Sequence, residues 1–129
     1  MGAKKQSNLL FSRCMRIKQG RDFVRLRERG QRLVQGCLVA NWQSRTEGPG
    51  SRLGVITSSK IGGAVVRNRA RRLLREAFRL HQHDLVSAVD LVLVARASIA
   101  GKSFSEVEKD YLTTLRKAKL LREGSTEKP

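Results

Sequence analysis

Acid is the scarce component of this 129-residue sequence: 11 Asp and Glu stand against 27 Lys and Arg, a formal charge of +16. A compact domain so charged repels itself unless a polyanion neutralises it, which makes nucleic acid the natural partner. A merely soluble cationic protein is the blander alternative, but ordinary small domains lie closer to neutrality. Cysteine is also sparse. Cys14 and Cys37 stand far apart with no CxxC spacing, which argues against a disulfide framework or a zinc site and leaves free thiols in a reducing cytoplasm as the expectation. Long apolar runs are missing too. The longest, around Val89–Ala97, is broken by Asp90 and Arg96, and Leu9-Leu10-Phe11 is too short for an export core. The sixth position is Gln6, where a myristoylation signal needs Ser or Thr. Neither a membrane partner nor a location outside the cytoplasm is expected. A GxxxxGK[ST] phosphate loop and internal repeats are absent as well, so a small-molecule nucleotide substrate is not expected.

What is present is unevenly placed. Residues 1–32 carry ten basic side chains (Lys4, Lys5, Arg13, Arg16, Lys18, Arg21, Arg25, Arg27, Arg29, Arg32) against Asp22 and Glu28. Residues 81–110 carry Arg96, Lys102 and Lys109 against Asp84, Asp90, Glu106, Glu108 and Asp110, so the charge is polarised along the chain. The length fits one domain, expected over 16–121, between a basic mobile segment 1–15 and a flexible tail 122–129. Gly20 to Gly30 predicts a short first helix. Leu33–Gln43 and Leu53–Ser58 read as two antiparallel strands joined by the turn-rich Ser44–Ser51. Ala64–Leu80 is helical, His81–Ala88 ambiguous, and Asp90–Arg96 a central strand covered on both faces. A last helix starts at Ser103 or Ser105, with Glu106 or Glu108 in its first turn, and runs to about Leu121 on a stripe of Val107, Tyr111, Leu112, Leu115 and Ala118.

The informative stretch is Lys60–Arg79. Winding from Arg67 at roughly 100° per residue puts Asn68, Arg71, Arg72, Arg75 and Arg79 within an arc of roughly 140°. Ala70, Leu73, Leu74, Ala77, Phe78 and Leu80 fill the complementary arc. One face can be buried while the other presents a guanidinium ladder at i, i+4, i+8 and i+12, suited to successive phosphates. A solvated helix face would intersperse Glu for i,i+4 pairing, yet Glu76 is the only acid among seven basic residues from Lys60 to Arg79.

Arg67-Asn68-Arg69, Arg71-Arg72, Leu73-Leu74-Arg75-Glu76 and Phe78-Arg79 resemble the signature helix of the ribonuclease P protein family. Gly54, Ser58, Lys60, Gly62, Ala64 and Val65 upstream, Asp22-Phe23, Asp90–Arg96, Glu106 and Asp110-Tyr111-Leu112 extend the resemblance over about 16–120. The resemblance implies an α+β fold: a single compact αβββαβα domain, ribosomal-protein-like, with a left-handed βαβ crossover where general statistics favour the opposite hand. It implies a ribonucleoprotein endonuclease in which a catalytic RNA subunit, with bound Mg²⁺, removes the 5′ leader of precursor tRNA and the protein contributes binding. Lys60, Arg67, Asn68, Arg69, Arg71, Arg72 and Arg75 would face the RNA subunit, and Phe23 with Arg27 the single-stranded leader. Arg27 stands where the family often has a second aromatic, and Asn41 where one can occur. Phe23 is alternatively a core anchor of the first helix, and Trp42 a core or edge residue.

Other constellations are weaker. His81 and His83 form an HxH pair without a third ligand. Glu106/Glu108 and Asp84/Asp90 suit helix starts and strand ends better than a Mg²⁺ site. Neither a catalytic side chain nor a protein-held metal is expected. A ribosomal or RNA-chaperone module and a protein-only nuclease are the competing classes.

Overall fold

The computed structural model describes residues 16–17, 20–45 and 50–121. The segments 1–15 and 122–129, and Cys14, lie outside the described residues. The elements run α1 (Gly20–Arg29), β1 (Gln31–Gln35), β2 (Leu38–Ser44), β3 (Arg52–Ile56), a 3₁₀ turn (Ser59–Ile61), α2 (Ala64–His81), β4 (Val89–Ala95) and α3 (Phe104–Lys117). This is the αβββαβα order. The sheet order is β1-β2-β4-β3, with β3 and β4 parallel and the other pairs antiparallel.

The structure corrects the expected pair of antiparallel strands. Leu33–Gln43 is not one strand. Gly36, at φ 55°, turns the chain between β1 and β2, a conformation glycine adopts without a steric penalty. The next strand, β3, does not pair with β2. β4 lies between them because its residues are apolar on both faces: Leu91 and Leu93 enter the core under α2 and α3, and Val92 enters the smaller core under α1. The main core joins Leu38, Ala40, Trp42 and Leu53 to Leu74, Phe78, Val107, Tyr111 and Leu115. Trp42 is therefore a core residue. Asn41, next to it, is also buried.

α3 starts with a reciprocal capping box: Ser103 Oγ accepts from the Glu106 N–H, and the Glu106 carboxylate accepts from the Ser103 N–H. It ends at Lys117, short of the expected Leu121, because Lys119 turns left-handed (φ 62°) and the Leu120 N–H closes onto Leu115 O. One turn along, Asp110 accepts the Cys37 N–H at 3.0 Å and so holds the β1–β2 turn. Burial, then the hydrogen bond and charge of Asp110, push the Cys37 thiol up to about 12, so it stays protonated and unreactive.

α1 is pinned by charge. Asp90, whose side chain is only 6% exposed, accepts Arg52 Nε at 2.8 Å, Arg52 Nη2 at 2.9 Å and Arg25 Nη2 at 2.8 Å. Asp22 lies 3.5 Å from Arg25 and 4.0 Å from Arg52. The carboxylate that interrupts the apolar run of β4 thus ties α1 to β3 and β4, and it sets where Phe23 lies.

Candidate nucleic-acid interface

α2 has one buried face, formed by Ala70, Leu74, Ala77 and Phe78, while Leu73 and Leu80 are only half covered. Asn68, Arg69 and Arg72 are exposed, and Arg67, Arg71 and Arg75 half-buried. Among the described residues, none of these five arginines forms an ion pair. Arg79, the last rung of the expected ladder, does. Its Nε and Nη2 donate to the Glu76 carboxylate at 3.0 and 2.7 Å, which holds Glu76 below the usual carboxylate range. Three residues apart on a helix, the two side chains are neighbours, so they neutralise each other.

The remaining arginines divide between the two flanks of α2. On the β3 side, Arg71 donates to Thr57 Oγ1 at 2.5 Å and to Asn68 Oδ1. Arg75 beside it has its guanidinium pKa lowered by burial and by the like charges of Arg16 and Arg71. Arg71 and Arg75, which form no ion pair among the described residues, thus lie close enough to Arg16 for like charge to be felt, and such a concentration of positive charge favours an anion. The site opens into a concavity of about 240 Å³ lined by Arg16, Ile17, Phe23, Leu53, Gly54, Val55 and Arg75.

Phe23 is an anchor of the first helix, packed on Ile17, Leu26 and Val92, and it also lines this concavity. It lies so close to β3 that a Cβ at Gly54 would stand 2.7 Å from Phe23 Cε1. Arg27 is exposed one turn beyond Phe23 and is not among the lining residues. Lys60 is exposed in the 3₁₀ turn before α2, its N–H donating to Ser58 Oγ at 3.3 Å. Sequence reasoning missed Arg16 and Thr57 as neighbours of this site. Their signal was only their place beside the strand that α2 covers.

On the other flank, Arg69 Nη2 donates to Lys102 O at 2.7 Å. Val65, Arg69, Arg72, Leu73, Glu76 and Phe104 line a second groove of about 500 Å³ between α2 and the start of α3.

The remaining candidates are engaged elsewhere. His81 Nδ1 lies 2.9 Å from Asp84 and Nε2 2.7 Å from Glu108, joining the end of α2 to α3. His83 is exposed. Among the described residues no three His, Cys, Asp or Glu side chains gather to hold a metal, and no helix is long and apolar enough to cross a membrane.

Residues 11–119 match the sequence model of a family described as Ribonuclease P. A ribonuclease P protein component from Gluconacetobacter diazotrophicus is 37% identical over 110 residues, covering 84% of this chain and 95% of the relative. One from Syntrophomonas wolfei is 38% identical over 111 residues, covering 86% and 92%. The solved RNase P protein of Staphylococcus aureus superposes with a TM-score of 0.77 at 29% identity, covering 84% of this chain and 98% of that one.

Proposed function

Because this chain belongs to the ribonuclease P protein family, we propose that it docks a catalytic RNA subunit on the arginine surface of α2 and receives the single-stranded 5′ leader of precursor tRNA beside Phe23. The observation that carries this reading is the make-up of α2: Ala70, Leu74, Ala77 and Phe78 face the core, while five arginines without a carboxylate partner among the described residues occupy its half-buried flanks and exposed side. Guanidinium forks grip phosphates bidentately, and each phosphate contact releases a counterion. Lys60 and Asn68 extend the same surface. In this reading hydrolysis belongs to the RNA and its bound Mg²⁺, and the protein screens repulsion between two polyanions and holds the leader, in the cytoplasm.

The decisive assay uses precursor tRNA with and without purified RNA subunit. The protein alone is expected to leave precursor tRNA intact and to accelerate the RNA subunit at low Mg²⁺. Metal-dependent cleavage by rigorously RNA-free protein would instead establish a protein-only nuclease. RNA binding without any stimulation would leave a ribosomal or chaperone module.

The leader contact is tested separately. Phe23→Ala and Arg27→Ala are each expected to weaken holoenzyme binding of precursor tRNA several-fold and to leave mature tRNA, which has no leader, nearly unaffected. The Arg27 effect should fade more as salt rises, because screening attenuates a charge contact more than a stacked ring. Circular dichroism must accompany Phe23→Ala, since the ring also packs on Ile17 and Leu26. Equal losses for both tRNAs in folded variants would remove these residues from leader recognition.

A further inference from the structure

The second groove, between α2 and the start of α3, shares no lining residue with the Phe23 concavity. Its chemistry is mixed in a specific way. Phe104 of α3 and Leu73 of α2, both half-buried, and Val65 of α2, 81% exposed, give it an apolar lining beside the cationic side chains of α2. Arg69 and Arg72 line the same groove. The bond from Arg69 Nη2 to Lys102 O fixes its guanidinium across the gap while its other N–H groups are left over for a ligand. Glu76, the one acid in the lining, is neutralised by Arg79.

We propose that this groove receives an unpaired base of the RNA subunit, stacked on Phe104, with the flanking phosphates held by Arg69 and Arg72. The proposal rests on α2 docking the RNA subunit and names what that surface reads besides phosphate. A phenyl ring and a guanidinium plane both stack on a nucleobase, and every base offers the required face. Duplex RNA cannot fill the groove, because paired bases remain within the stack, so the occupant comes from a loop, bulge or end. An acidic peptide would also meet the two arginines. RNA is favoured because Arg69 and Arg72, though on the other flank from Arg71 and Arg75, belong to the same arginine-rich helix that the proposed function assigns to the RNA subunit.

Phe104→Leu keeps apolar bulk against the core and removes the aromatic face. Affinity of the full chain for its cognate RNA subunit is expected to fall about tenfold, within the range found when single base-stacking contacts are removed. The slope of affinity against salt should stay the same, since stacking releases no counterions. Phe104→Trp should retain affinity, and its indole emission should be quenched when the RNA subunit is added, beyond any change from the buried Trp42. Wild-type affinity in folded Phe104→Leu, or absent quenching in Phe104→Trp, would overturn the proposal and leave the groove to another partner such as an acidic peptide. A flattened salt slope in Phe104→Leu would also overturn it, by making Phe104 a support for the arginines. These outcomes differ from failure of the docking reading, in which the unaltered protein would show no salt-dependent affinity for the RNA subunit and the base site would fall with it.

Discussion

Replacing Arg71 and Arg75 together by Ala is expected to weaken RNA-subunit binding by about tenfold for each charged hydrogen bond lost, at ~1.5 kcal/mol apiece. The dependence of affinity on salt should flatten by about one unit per phosphate contact removed. The fold should survive. Among the described residues Arg71 bonds to Thr57 and Asn68 and to no acid, and loss of Arg75 relieves its crowding with Arg16. The pair is more informative than Arg72, which belongs to the opposite flank, or Arg79, whose charge is matched by Glu76. Titrations at several salt concentrations provide the check. An unchanged slope in the folded double variant would place the interface elsewhere.

Asp90→Ala is expected to cost about 3 kcal/mol of folding stability, the lower end of the ~3–5 seen when a buried pair loses one partner. The lower end applies because the side chains it abandons, Arg25 and Arg52, are 35% and 23% exposed and can turn toward water. Against a typical total of about 5–15 kcal/mol that is a large fraction. Burial alone would raise the Asp90 carboxyl, but the Arg52 hydrogen bonds and the charges of Arg52, Arg45 and Arg25 outweigh it and hold it below the usual range. A carboxylate depressed in the folded state stabilises fully above its unfolded pKa of about 3.9 and loses that contribution as pH falls through the folded value. Urea unfolding should therefore show a wide gap between wild type and variant at neutral pH that closes in strong acid. A variant as stable as wild type at pH 7 would mean that α1 is held by Leu26 and its apolar neighbours alone.

The helices were legible because their signals are local. Alternating burial and charge announced α2, and Ser103 or Ser105 with Glu106 or Glu108 announced a cap for α3, which lies at Ser103 and Glu106. The sheet was less so. Ser44–Ser51 is crowded with turn formers, whereas the true hairpin turn is the single Gly36 before an apolar Cys37, stabilised from 73 residues away by Asp110. Asp90–Arg96 was legible as a central strand covered on both faces, but that it separates β2 from β3 and runs parallel to β3 depends on long-range pairing that no window of sequence contains. For the candidate site, the arc of arginines was visible and its division was not. Whether an arginine turns toward Thr57 or Lys102 depends on elements that reach α2 only through the tertiary fold, whereas the Glu76–Arg79 pair lies within α2 itself. Asp90 looked like an interruption of a strand because its partners lie on α1 and β3.

The sheet order also dictates a sequence of assembly during synthesis. β1 and β2 are joined by a tight turn and can pair as soon as both have emerged. β3 follows them but has no strand neighbour within the described sheet until β4 arrives, with 32 residues in between. Bringing distant strands together costs loop entropy before any pairing rewards it. The concavity formed by Phe23, Gly54 and Arg75 can therefore close only after the chain has been made past Ala95, and the arginine helix leaves the ribosome before the strand that fixes its position.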